Sequence, residues 1–240
     1  EAWQLGNIYH AIFEALYRHA ADRTDAAQLL AQLDDVAGPI LDAAPAKEGF
    51  RETAWWAQTR QEIIANVRLS VQKLAGLGPE FTPAYFEQGF FGERSLRVTG
   101  PDGDFFRLHG IIDRIDIDAA GNLRLIDYKT SHAAGFRKAV VRSGKKLQLP
   151  LYALAARDAL GLGQPADGFY WHIHQAEASD FTLAGFEGGP AAAIDTAVAF
   201  AWEAVRGARA GHFSPQPPAE GCPAYCPAAA FCWHYRPGYR

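Results

Sequence analysis

The chain contains no methionine and no Asn-x-Ser/Thr glycosylation acceptor, and its three cysteines all lie near one end. An odd, clustered set of thiols argues against a disulfide framework and for metal ligation in a reducing compartment, so a cytoplasmic location is expected. No apolar run approaches the ~20 residues a membrane helix needs. The greasiest stretch, Ala191–Ala204, is interrupted by Asp195 and Glu203. No signal peptide is visible. No Gly-x-x-x-x-Gly-Lys-Ser/Thr phosphate loop occurs, so ATP-driven unwinding would need another region or another chain. The 23 glycines and 14 prolines follow no period, which excludes collagen and coiled coil. A chain that opens on Glu1 and lacks methionine is expected to be a piece of a larger protein.

What is present fits one large folded domain. The 240 residues are 49% apolar, 12% aromatic and 21% charged, with net charge −4, which excludes a disordered chain. Leu5, Ile8, Tyr9, Ile12, Phe13, Leu16 and Tyr17 have helical spacing. Further helices are expected over Asp25–Leu41 and Glu48–Leu77, the latter closed by Gly78-Pro79. The texture then changes. Strands are expected at Ala84–Phe91, Ser95–Thr99, Phe105–Asp118 and Asn122–Lys129, with turns at Pro101–Asp104 and Ala119–Gly121. A helix follows at Leu149–Leu160, strands at Gly168–Gln175 and Phe181–Phe186, and a helix at Ala191–Ala210. Helices, then strands, then alternation predict an α/β fold, a mixed sheet flanked by helices.

The hairpin between Phe105 and Lys129 carries the chemistry. Asp113 sits among isoleucines on one strand, and Asp127 shares a face with Leu123, Leu125 and Lys129 on the next. A three-residue Ala-Ala-Gly loop pairs Asp118 with Asn122, Ile115 with Leu125, and so Asp113 with Asp127. Opposed Cβ atoms lie about 5 Å apart. Two carboxylates there repel by about 3 kcal/mol at an effective dielectric of about 20. A single acid in a strand is ordinarily a solvated residue. Two opposed acids and a lysine on apolar faces point to a divalent cation, because Mg²⁺ takes oxygen ligands from such pairs. A slip of one residue would put the acids on opposite faces.

These residues form a known pattern. Gly110-Ile-Ile-Asp113-Arg114-Ile-Asp116, followed by Asp127-Tyr128-Lys129-Thr130, resembles the core of the PD-(D/E)xK nuclease superfamily, and more narrowly its RecB/AddB-type exonuclease branch. Gly6-Asn-Ile-Tyr-His10 resembles the family's helical G-x-x-x-H block, and Gln148-Leu-Pro-Leu-Tyr152 its Q-x-x-x-Y block. The resemblance implies a restriction-endonuclease-like core at 81–210, a helical part at 1–80 and a cysteine-containing tail at 211–240. It implies His10, Asp113 and Asp127 as ligands of Mg²⁺ or Mn²⁺, with the Tyr128 carbonyl as a further ligand and Lys129 as the catalytic lysine. Gln148 and Tyr152 would shape the site and touch the nucleic-acid backbone. The reaction implied is metal-assisted phosphodiester hydrolysis of DNA in recombination or repair, with a helicase as partner.

Other features remain open at this stage. Gly6 is expected to leave room for a close approach beside His10. Glu14 is either a support for His10 or a surface acid, and Glu87 is either an accessory acid of the site or, the favoured reading, an exposed acid. Arg137, Lys138, Arg142, Lys145 and Lys146 form a basic segment able to track phosphates, or a solvated loop. His172 and His174 are read as a metal pair or, the favoured reading, as residues of a polar outer face. Cys222, Cys226 and Cys232 resemble the iron–sulfur tail of AddB-like nucleases, but a [4Fe–4S] cluster takes four thiolates and the fourth is absent from this chain. Zinc with His234, or free thiols, are the alternatives. The rival functions are a catalytically inactive nuclease-fold module that binds DNA, and a metal-stapled protein-interaction domain.

Overall fold

The structure, a computed structural model, describes residues 2–131, 135–219 and 221–238. The chain divides into two compact units, residues 1–200 and 201–240.

The first unit opens with three helices. In α1 (Ala2–His19) the rows Ile8, Ile12, Leu16 and Tyr9, Phe13, Tyr17 are buried, as four-residue spacing on one helix face requires. Helix α2 (Ala26–Glu48) is capped by Asp25, whose carboxylate accepts the N–H groups of Ala27 and Gln28. It does not stop near Leu41 but runs through Pro39 and Pro45 to Gly49, which ends it at φ 72°. Each interior proline costs about 3 kcal/mol. The buried row Leu33, Ala37, Leu41 and Ala44 extends across both breaks, so packing prevails over local propensity. Helix α3 (Ala54–Ala75) accordingly starts after Thr53 rather than at Glu48.

The strands are β1 (Thr82–Phe90), β2 (Leu96–Thr99), β3 (Phe105–Leu108), β4 (Gly110–Ile117), β5 (Asn122–Lys129), β6 (Gln164–His172) and β7 (Glu177–Thr182). The main sheet has the order β1-β4-β5-β6-β7, antiparallel except for the parallel pair β5–β6. Helices α4 (Lys138–Arg142) and α5 (Gln148–Asp158) lie on the crossover that a parallel pair requires. The strand expected over Phe105–Asp118 is two strands in two sheets: β3 pairs only with β2, while β4 lies inside the main sheet. Alternation reads continuously through His109 and does not record the bend. Gly110 accommodates it, because a Cβ there would lie 3.1 Å from both the Phe90 and Tyr152 rings. β6 begins earlier than the expected Gly168 because it pairs with the full length of β5.

The helical layer and the sheet share one core. Leu29, Leu33, Val67 and Val71 join Phe86, Ile126, Tyr128, Phe169 and Trp171 in a single buried cluster. Phe13 stacks on Tyr128 with centroids 4.3 Å apart, and Trp171 Nε1 donates to Ser70 Oγ at 3.0 Å. This packing holds α1 against the sheet. Helix α6 (Gly189–Arg209) then crosses the boundary in sequence between the units.

Candidate active site

Three adjacent strands and one helix bring the acidic residues together. In the β1–β4 pair Phe86 faces Arg114 and Gln88 faces Ile112, with Glu87 and Asp113 between them. In the β4–β5 pair Ile115 faces Leu125 and Arg114 faces Ile126, the register expected from the hairpin. One step further, at Asp113 and Asp127, the backbone ladder gives way, and Asp113 Oδ2 accepts the N–H of Tyr128 at 2.7 Å. From α1, His10 Nδ1 reaches Glu87 Oε1 at 3.0 Å and Asp113 Oδ1 at 3.6 Å. His10, Glu87 and Asp113 offer ligand atoms within 4.8 Å of one another. Asp127 stands outside that group, held by the ammonium of Lys129.

Lys129 is positioned by a relay. Its ammonium also donates to Gln148 Oε1 at 3.1 Å, and Gln148 Nε2 donates to Tyr152 Oη at 3.0 Å. Gln148 and Tyr152 lie one turn apart on α5, so the Q-x-x-x-Y spacing places both on one helix face. The sequence pattern thus ends in a hydrogen-bond chain directed at the lysine.

The electrostatics are those of crowded charge. Burial pushes the Asp113 carboxyl up, the Asp127 charge pushes it further, and it reaches about 8 against the opposing pull of His10 and Lys129. Burial likewise raises Asp127, against the pull of Lys129. For His10, burial disfavours the cation, but the Glu87 hydrogen bond and the charges of Asp113, Glu87 and Asp127 outweigh it and lift the ring to about 9. The cluster therefore holds protons at neutral pH that a bound cation would displace. The two carboxylates of Glu87 and Asp113, the latter buried, and the His10 imidazole are a hard donor set that fits Mg²⁺ or Mn²⁺.

Beneath the cluster lies a second charged group. Arg114 Nε and Nη2 donate to Asp116 at 2.6 and 3.1 Å, and Arg124 Nη2 donates to the same carboxylate at 2.8 Å. Arg124 Nη1 also donates to the Leu77 carbonyl at 2.7 Å, tying β5 to the end of α3. Asp116 is fully buried. The second half of Asp-Arg-x-Asp is thus a brace for the strands.

Several expectations are corrected. Glu87 is not a surface acid: its carboxylate bonds His10, and its backbone is left-handed at φ 45°. The acidic position in Phe86-Glu87-Gln88 was visible in the sequence, but no spacing linked it to His10. Glu14 pairs with Arg18 at 3.0 Å, not with His10. A Cβ on Gly6 would meet nothing within 4 Å, so no close approach occurs there. His172 is fully buried, with Nδ1 2.9 Å from the Ser131 carbonyl, rather than on an outer face. His174, by contrast, is exposed as expected and packs edge-on against Tyr9 at 5.8 Å. Within the basic segment, Arg142 pairs with Glu187 at 2.7 Å and Lys146 sits 4.6 Å from the Phe136 ring centroid.

In the second unit Cys222, Cys226, Cys232 and His234 line one cavity of about 530 Å³. Their ligand atoms do not converge: among the described residues the His10 cluster is the one group with metal-ligand spacing. All three thiols are free, and the chain has no fourth. As placed, they fit neither a [4Fe–4S] cluster nor a zinc site.

A mixed sheet whose central hairpin presents two aspartates and a lysine, covered by a helix that carries a histidine, defines a restriction-endonuclease-like fold with a candidate divalent-metal centre. The family model of the PD-(D/E)XK nuclease superfamily matches residues 1–233, and the chain belongs to that superfamily. Comparison with the curated proteins finds no match. Among the described residues no helix is long and apolar enough to cross a membrane.

Proposed function

We propose that this chain is a divalent-metal-dependent deoxyribonuclease of the RecB/AddB type, an exonuclease of DNA recombination and repair. The observation that carries this reading is the convergence of His10, Glu87 and Asp113 beside the Asp127–Lys129 pair. His10, Asp113 and Asp127 would hold the ion, with Glu87 and the Tyr128 carbonyl completing the oxygen set. When bound, Mg²⁺ or Mn²⁺ supplies Lewis acidity to the phosphoryl oxygen and to water. Lys129 places a positive charge where the phosphate gains negative charge, and Gln148 and Tyr152 keep its ammonium in place. The neighbourhood of buried Tyr128 and Phe13 limits solvent on the helix side of the cluster. The resemblance to RecB and AddB supports a helicase as partner and a cytoplasmic setting.

The test uses end-labelled linear DNA and circular DNA with Mg²⁺ or Mn²⁺. Degradation of the linear form alone is the expected result for an exonuclease. Asp127→Ala and Lys129→Ala should each lower the rate by about 10²-fold or more. Degradation that survives both substitutions would place the chemistry elsewhere. Binding without cleavage would make the chain an inactive DNA-binding module.

A further inference from the structure

We propose that the β2–β3 hairpin and the adjoining end of β1 form a docking platform for single-stranded DNA beside the metal cluster. Arg97 and Arg107 hold its phosphates, and Phe91 stacks one of its bases. The proposal deepens the nuclease reading, on which it rests for the identity of the polymer.

The hairpin has two unlike faces. Leu96, Val98 and Phe106 are buried, while Arg97, Phe105 and Arg107 are exposed. Arg97 stands directly opposite Arg107 in the antiparallel register. Like charges in that position destabilise a sheet, and among the described residues neither arginine has a carboxylate partner. The guanidiniums are instead arranged around one ring. Arg97 lies 4.0 Å and Arg107 5.9 Å from the Phe105 centroid, and Arg107 Nη1 donates to Ser95 Oγ at 3.2 Å. The hairpin acids Asp102 and Asp104 occupy the turn at the far end. Two preset cations that pair with no carboxylate among the described residues are complementary to a phosphate chain.

An aromatic surface adjoins them. Phe91 is 48% exposed. Its ring lies over Gly89 so closely that a Cβ there would come within 2.6 Å of it, and a glycine alone leaves that space. Gly89 pairs with Ile111, which is 42% exposed and two residues from Asp113. Phe90 packs edge-on against Tyr152 at 5.8 Å, and β2 packs against α5, the helix that carries Gln148 and Tyr152. The surface therefore leads to the cluster. Stacking on an exposed ring needs an unpaired base with a free face, which a single strand offers and a duplex interior does not.

The test is fluorescence anisotropy in EDTA with labelled oligothymidylate of about 20 nucleotides, the matching duplex, and oligouridylate. Phe91→Ala should weaken oligothymidylate binding about 5-fold or more, with a smaller effect on the duplex. The double variant Arg97→Gln/Arg107→Gln should reduce the slope of log affinity against log salt by about 1.4. Phe91→Trp should retain binding, and its indole fluorescence should be quenched when the strand docks. Variants that bind like the unmodified chain, equal losses for duplex and single strand, tighter binding of oligouridylate, or an unquenched indole would each overturn the proposal. Hydrolysis of bis(4-nitrophenyl) phosphate with Mn²⁺ separates the two readings, since that ester has neither base nor chain. All these variants should keep it. Normal hydrolysis with unaltered DNA binding sinks the platform alone. Phe91-dependent binding by a chain that hydrolyses nothing sinks the nuclease reading alone.

Discussion

Glu87 shows how one side chain changes the character of the cluster. A non-glycine residue in the left-handed region costs of order 1–3 kcal/mol, and Glu87 sits there at φ 45° inside a strand. Its carboxylate bonds His10, whose ring is thereby fixed toward Asp113. Glu87→Gln keeps the shape and removes the charge. It should lower Mn²⁺ affinity by about tenfold or more, measured by isothermal titration, with the fold unchanged by circular dichroism. An unchanged affinity would reduce Glu87 to a packing partner of His10. The bond to His10 was not legible in the sequence, where Glu87 reads as an accessory or an exposed acid and its partner lies 77 positions away. By contrast the placement of Asp113, Asp127 and Lys129 on neighbouring strands was legible, because strand parity and a short loop are local.

The β4–β5 hairpin is held from beneath by its own ion network. Asp116 accepts from Arg114 and Arg124 in a buried setting, and each guanidinium also lies against a ring, Arg114 4.5 Å from Tyr17 and Arg124 4.7 Å from Phe81. Asp116→Ala would leave two buried cations without an anion. It should cost about 3–5 kcal/mol of stability, read by urea denaturation at neutral pH. Asp113→Asn should cost far less and should even stabilise the metal-free chain, because burial and Asp127 both oppose ionisation of the carboxyl, and the amide spares the folded chain the proton it must otherwise take up at neutral pH. The two aspartates of one short motif thus have opposite energetic roles. The sequence alone does not separate them, since both read as acids in an apolar strand.

Across the folded chain the raised groups set a direction for stability with pH. Asp113 rises from an ordinary 3.8 to about 8, and His10 from 6.5 to about 9. In both cases the folded chain binds more protons than the unfolded chain between the two values, so stability falls as pH rises through that window. The metal-free protein should therefore lose thermal stability between about pH 4 and pH 9 in EDTA. The Asp113→Asn variant should lose less over the same range. Mn²⁺ should raise the melting temperature more at pH 8 than at pH 6, since binding releases fewer protons there. A stabilisation by Mn²⁺ that ignores pH would mean that the ion binds away from these groups.

The sequence by itself determined the order of elements and the register of the central hairpin from Ile117 to Arg114, because these follow from spacing within about one element and its neighbour. It also marked Gln148 and Tyr152 as a one-turn pair. Only the tertiary structure decided that α2 continues through two prolines, that His109 is a corner between two sheets, and that Glu87 and His10 meet. Each of those outcomes depends on packing between segments far apart in the chain, where burial outweighs local preference and no periodicity records the partner.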